Sequence, residues 1–238
     1  MSRSFDGIDD VISNTATTSV LNSISSLSIV VSVYPLSAGE GGFGRISRKR
    51  NPGTPNGNNS YWELFASATI PEVRLGYSTA AERWTWGSGT YGVSKWNHLA
   101  FASADIISAS VTPDVWINGS VFTPTAAQTG GGTRVADDSN FYIGDWGDGA
   151  RTFDGLIANL HIFSRKIVTG EVQQMMFYPG SIRRNLVGFW PLWGSTSPEP
   201  DLTGNGNNGT ISGAIKGLIE SPVNGIFTIP QPQLTGAF

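Results

Sequence analysis

The side chains in this sequence best suited to chemistry fall into a few small groups. In RWTWGSGTYG, Trp84 and Trp86 share one face of a strand by period two, and Trp146 stands in the loop-like GDWGDG. Indole faces stack on sugar rings while polar neighbours hydrogen-bond the hydroxyls, so these three form the candidate glycan platform. The competing reading for Trp84 and Trp86 is core packing, the usual fate of a large aromatic side chain. Asp145 and Asp148 flank Trp146. Two carboxylates with backbone carbonyls could seat Ca²⁺, which takes roughly 6–8 oxygens, and Asp137 and Asp138 would add to the set if the preceding loop folds over. Against a metal stands turn chemistry, because Asx side chains cap their own backbone.

Other reaction classes lack their parts. The two histidines, His98 and His161, both sit in strand-like runs, where an imidazole serves as a hydrogen-bonded packing residue more often than as a base. There is no cysteine, which removes disulfides and thiolate metal sites. Charged residues are only 14%, with a net charge of −3 and 15 Lys plus Arg scattered along the chain, so the basic stripe that tracks a phosphate backbone is missing and nucleic acid is not an expected partner. The one basic cluster, Arg45, Arg48, Lys49 and Arg50, abuts the polar stretch NPGTPNGNNS and reads as the solvated tip of a hairpin. The opening MSRSFDGIDDVIS has no apolar core of a signal peptide, and no run approaches the roughly 18 apolar residues of a membrane span, so neither the general secretory route nor a membrane is expected.

Strands must position these groups. In Leu27–Tyr34, Leu27, Ile29, Val31 and Val33 alternate with Ser28, Val30, Ser32 and Tyr34 before Pro35 ends the run. Further strand-like runs are Gly42–Ser47, Tyr61–Ser67, Glu72–Tyr77, Lys95–Ala102, Asp114–Phe122, Asn140–Gly144, Leu156–Arg165 and Leu186–Leu192. Asn118 and Gly119 supply the positive φ angles of a type I′ hairpin turn. Only Thr169–Tyr178 reads as a helix, with Thr169 as cap, Glu171 in the first turn, and Pro179 and Gly180 as the stop. With 238 residues, 30 Gly and 13 Pro, the chain reads as one all-β domain over residues 1–218. Residues 219–238 form a proline-containing arm, with Phe227, Ile229, Leu234 and Phe238 available to lie on a neighbour.

Five stretches in order resemble the laminin-G-like, concanavalin-A-like jelly roll: SFDGIDDVIS from Ser4, WNHLAF from Trp96, VWINGS from Val115, FYIGD from Phe141 and FDGLIANLHIFSR from Phe153. The resemblance implies an antiparallel β-sandwich. A sixth stretch, LVGFWPLWGSTSPEPDLTGNGNNGTISGA from Leu186 to Ala214, resembles the opening of many family members yet comes last here. That order implies a circularly permuted sandwich in which Val187–Trp190 pairs with Ala158–Phe163.

The same sandwich hosts glycoside hydrolases, which need two carboxylates flanking the scissile bond. The 7 Glu are isolated, and Glu63, beside Trp62, has no acidic partner within two positions, so no dyad is visible. The leading expectation is therefore a non-enzymatic bacteriophage virion component, a capsid decoration, cement or tail-fibre-associated jelly roll. It would be a homo-oligomer contacting itself and other virion proteins, with a trimer as one form. Its rival is an extracellular or virion-mounted carbohydrate-binding module, and a glycoside hydrolase comes third.

Overall fold

The structure, a computed structural model, describes residues 1–218 apart from 16–18, 23, 51–59, 68–69, 87–90, 136, 138–139 and 148, with the side chains of residues 50 and 60 also left aside. The expected arm with Phe227, Ile229, Leu234 and Phe238, and the carboxylates of Asp138 and Asp148, lie outside the described residues.

In chain order the strands are β1 (Arg3–Asp6), β2 (Val11–Asn14), β3 (Leu27–Pro35), β4 (Gly44–Arg50), β5 (Ser60–Ala66), β6 (Pro71–Leu75), β7 (Glu82–Thr85) and β8 (Asn97–Ser103). There follow β9 (Asp114–Ile117), β10 (Ser120–Phe122), β11 (Thr125–Gln128), β12 (Phe141–Ile143) and β13 (Asp154–Phe163). The helix α1 (Thr169–Phe177) precedes β14 (Leu186–Trp190), β15 (Thr210–Ser212) and β16 (Ile215–Lys216). The strands form two antiparallel sheets. The first has the order β10-β9-β8-β3-β13-β1-β16, with β14 also on β13; the second runs β11-β7-β6-β5-β4-β12-β2-β15. The jelly-roll sandwich expected from the sequence is thus the observed architecture.

The inner faces meet in one large core. Ile29, Val31 and Val33 of β3 face Trp62, Leu64, Val73 and Phe141 of the second sheet, and Phe141 stacks on Trp190 at 4.7 Å between centroids. The other face of β3 is buried too. Val30 packs with Ala100, Trp116, Phe163, Phe189 and the α1 residues Val172 and Met175 in a second apolar cluster. Alternation therefore marks two covered faces of β3, one roofed by the opposite sheet and one by the helix. The helix begins one residue earlier than a Thr169 cap requires. Val168 occupies the cap position, and its N–H donates to the Glu171 carboxylate at 3.1 Å. The Thr169 hydroxyl instead accepts from Trp116 Nε1 at 3.2 Å, because that buried indole needs an acceptor.

Strand β13 carries β3 along one edge, while its other edge is shared. β1 pairs over Gly155–Ile157 and Asp154, and β14 over Leu160–Phe163, with Leu160 opposite Trp190. Pairing of Val187–Trp190 with this strand is as the sequence predicts. The Trp190 end of β14 points at the Arg3 end of β1, so the two read as one broken strand laid along β13. The segment after β14 is fastened from within. The Asp201 carboxylate accepts from the N–H groups of Phe189 and Thr203 at 3.0 Å each and from the Thr203 hydroxyl. Arg3 and Glu199 form a buried ion pair at 2.8 Å, and Gly217 N–H donates to Ser2 O at 2.8 Å.

Candidate functional site

Among the described residues, no helix lies over the outer face of the second sheet. Direct cross-strand partners share a face, and the register lays Arg83, Arg74, Glu63, Arg48 and Tyr142 in one row across β7, β6, β5, β4 and β12. A neighbouring row holds Thr85, Glu72, Phe65 and Arg45. The core side of the same strands carries Trp84, Val73, Leu64 and Trp62. Arg45 and Arg48 reach one face although three positions apart because the register shifts between Arg45 and Ser47, which makes Ile46 an extra, inward residue.

Two loops rise over this face. One contains Phe43; the other, between β12 and β13, contains Trp146 and Arg151. They are laced together by Arg45 N–H to Arg151 O at 2.9 Å and Glu40 N–H to Thr152 O at 3.0 Å. Gly39, at φ +72°, permits this approach, since a Cβ there would lie 2.5 Å from Gly44 Cα. Gly147, at φ +100°, lies on the Tyr142 ring, where a Cβ would come within 2.6 Å. Between the loops and the sheet opens a pocket of about 290 Å³ lined by Phe43, Arg45, Phe65, Arg74, Arg83, Trp146 and Arg151.

Buried carboxylates anchor the guanidiniums. Glu63, with no exposed surface, meets Arg45 Nε at 2.9 Å, Arg74 Nη1 at 3.0 Å and Arg48 Nε at 3.8 Å. Glu72 takes Arg83 in a bidentate pair at 2.5 and 2.8 Å. Burial alone would raise the Glu63 carboxyl, but Arg45, Arg74 and Arg48 outweigh it and hold it below the usual range. Burial pushes the Arg45 guanidinium down, and repulsion from Arg74 and Arg151 adds to that against the pull of Glu63. Aromatic rings interleave: Arg45 lies 4.2 Å from the Phe65 centroid, Arg48 4.8 Å from the Trp146 ring, and Arg151 5.5 Å from Trp146 and 5.6 Å from Phe43.

This arrangement corrects several sequence expectations. Arg45, Arg48 and Lys49 are not a solvated hairpin tip; each is buried to within 2% exposure, and β4 continues through them because each has an acidic partner. Of the three candidate tryptophans, only Trp146 reaches the pocket. Trp84 and Trp86, 6% and 1% exposed, are core residues whose strand face points at the opposite sheet, so they offer no platform. Trp146 is half-buried, with a buried Nε1 that has no hydrogen-bond partner among the described residues. Asp145 serves the loop: its carboxylate is fully buried, accepts from Gly147 and Gly149 N–H groups and takes the Thr152 hydroxyl at 2.8 Å. Asp137 pairs with Lys49 at 3.0 Å rather than joining Asp145. His98 and His161 are packing residues, as expected; His161 Nδ1–H donates to Asn159 O, Nε2 accepts from Gly180 N–H, and the ring stacks on Phe189. Sequence reasoning missed Arg74, Arg83 and Arg151, which lie far from the basic cluster in sequence and next to it only through the sheet register and the β12–β13 loop.

Comparison with known proteins follows the same lines. Residues 6–173 match the profile of the concanavalin A-like lectin/glucanases superfamily. No curated protein matches. A protein from Bacteroides ovatus named as a candidate carbohydrate binder is similar in fold, with a TM-score of 0.64 at 18% identity over 90% of this chain; the chain spans 58% of its length. The Ruminococcus gnavus IT-sialidase CBM40 bound to α2,3-sialyllactose gives 0.55 at 13% identity, covering 74% of this chain and 97% of that one. The heptameric SAP-like pentraxin of Limulus polyphemus gives 0.52 at 15%, covering 73% and 80%.

Proposed function

The chain belongs to the concanavalin A-like lectin/glucanase superfamily, and from that premise we propose that it is a non-catalytic carbohydrate-binding module whose site is the pocket between Phe43, Trp146 and the outer face of the second sheet. The observation that carries this reading is the composition of the pocket. Apolar ring surfaces from Phe43, Phe65 and Trp146 stand beside guanidinium donors in one opening of about 290 Å³. That volume is at the small end of the range for ligand pockets, roughly 300–1,000 Å³, and suits a single sugar residue. Pyranose recognition needs this pairing of ring faces with fixed donors. The Bacteroides and Ruminococcus proteins, named for carbohydrate and sialyllactose binding, support it as fold relatives.

A hydrolytic role is disfavoured by the two carboxylates on this face. A glycosidase acid needs a raised pKa and access to the glycosidic oxygen. Glu63 is fully buried and held ionised by three arginines, and Glu72 is taken up by Arg83. We thereby reverse the order expected from sequence and put glycan recognition ahead of a purely structural virion role, with the make-up of the pocket as support. Mounting on a virion is a proposal about where such a module works, and mass spectrometry of purified particles tests it. The binding reading is tested with a glycan array. The intact chain is expected to retain a subset of sugars, and Trp146→Ala, with an unchanged melting temperature, to lose them. An array that stays blank at high protein concentration overturns it.

A further inference from the structure

We propose that the ligand of this pocket is an acidic sugar, whose carboxylate is received by Arg151 together with Arg74 and Arg83; this rests on the glycan-binding reading above. The starting point is a charge imbalance. The pocket and its floor hold five guanidiniums, Arg45, Arg48, Arg74, Arg83 and Arg151, in a chain whose net charge is −3. The carboxylates available to them are Glu63 and Glu72. Two more stand nearby in the covering loops, Asp145 and Glu40, and both accept hydrogen bonds from backbone N–H groups there. With all four counted, positive charge is in excess among the described residues.

Position matters more than the count. Glu63 and Glu72 are 0% and 6% exposed, so they lie beneath the arginines, while Arg74 and Arg83 keep 22% and 30% of their side-chain surface open. The carboxylates neutralise the floor, and unused N–H groups border the opening. Arg83 spends Nε and Nη2 on Glu72 and leaves Nη1 without a partner among the described residues. Arg74 meets Glu63 through Nη1; its Nε, buried and so not itself at the opening, has no hydrogen-bond partner among the described residues. Arg151 has no carboxylate partner and no hydrogen bond from its guanidinium among the described residues; it rests between the Phe43 and Trp146 rings. Its backbone holds φ +57°, a left-handed position where glycine would sit with less strain. A planar guanidinium with free donors matches a carboxylate in two parallel hydrogen bonds. Neutral sugars leave those donors to water. Phe43 and Trp146 beside Arg151 give the ring of an acidic sugar an apolar surface while its carboxylate meets the guanidiniums.

Isothermal titration of the intact chain against matched pairs tests this: sialyllactose with lactose, and glucuronic acid with glucose. The acid member of at least one pair is expected to bind ten-fold or more tightly than its neutral partner, with affinity falling as salt rises. The first pair reports a nonulosonic acid, the second a uronic acid. Arg151→Ala should weaken acid binding at least ten-fold, and Arg151→Lys, which keeps the charge without the planar fork, by less. Arg151 is only half-buried, so both variants should melt within a few degrees of the parent. If neutral sugars bind as tightly as acids, the acidic inference falls and the glycan reading stands. Acid binding that ignores both Arg151→Ala and Arg83→Ala also overturns it. Silence toward both acidic and neutral sugars removes both readings together.

Discussion

Both sheets bury an inner face in the common core, but their outer faces are treated in opposite ways. On the first sheet, a row of Trp116, Ala100, Val30, His161 and Phe189 is roofed by α1. On the second, the equivalent surface is a grid of arginine and glutamate with a pocket at one side and, among the described residues, no helix over it. An apolar face gains free energy by being covered. A buried ionic face gains little or nothing over an apolar one, because desolvation offsets the attraction. One outer face thus serves stability, whereas the other holds charges that the fold alone does not require. That contrast supports the proposed position of the binding site.

Breaking the charged face should have the largest effect. Glu63→Gln leaves three guanidiniums around a neutral amide of the same shape, and the expected loss is about 3–5 kcal/mol in urea denaturation. A loss below about 1 kcal/mol would mean that the grid is effectively solvated and that the two faces do not differ as described. On the covered face, Met175→Ala opens a cavity beneath α1, for an expected loss of about 2–3 kcal/mol by the same measurement, with glycan binding unchanged.

Acid should separate the faces in a smaller effect. Burial pushes His98 down to about 4 and His161 to about 3 on the helix-covered side. Their folded pKa values lie below the unfolded value of about 6.5, so the unfolded chain binds more protons in between, and stability rises with pH there. It is present in full above pH 6.5 and is lost as pH falls toward 4 for His98 and toward 3 for His161. Glu63, also depressed in the folded state, contributes stability that is present above the unfolded carboxylate pKa and is lost at still lower pH. Melting temperature should therefore fall in two stages on acidification. In His161→Gln the first stage should shrink while the second remains; a single stage in the parent protein would contradict the assignment.

How far the sequence reached depends on how local each signal is. The hairpin at Asn118 and Gly119, with φ +52° and +76°, is fixed by two adjacent residues, and it forms where expected between β9 and β10. The helix is legible from its stop and its Glu171, although the cap is one residue off. The pairing of β14 with β13 follows from a motif whose order in the chain is unusual. The pocket is not local in any of these senses. Arg45 and Arg48 share a face only through an extra residue at Ile46, which period-two alternation does not reveal. Glu63 looks isolated along the chain because its partners come from neighbouring strands. The tryptophans show the same limit, since the shared strand face of Trp84 and Trp86 is legible from their spacing but not that it turns toward the core, while the loop residue Trp146 lies in the pocket wall.

The broken strand formed by β14 and β1 along one edge of β13 bears on how the chain folds as it is made. The ion pair between Arg3 and Glu199 joins residues 196 positions apart, and β1 finds its second neighbour only at β16. Until those late residues have been synthesised, half of the β13 edge and one side of β1 are bare strand edges, the surfaces on which other chains pair. Closing contacts of such long sequence separation is slow, and growing chains pass through partly formed states. A segment made late, β14 to β16, is thus the one that seals the sheet, and time spent before it arrives is the time during which this domain is most exposed to misassembly.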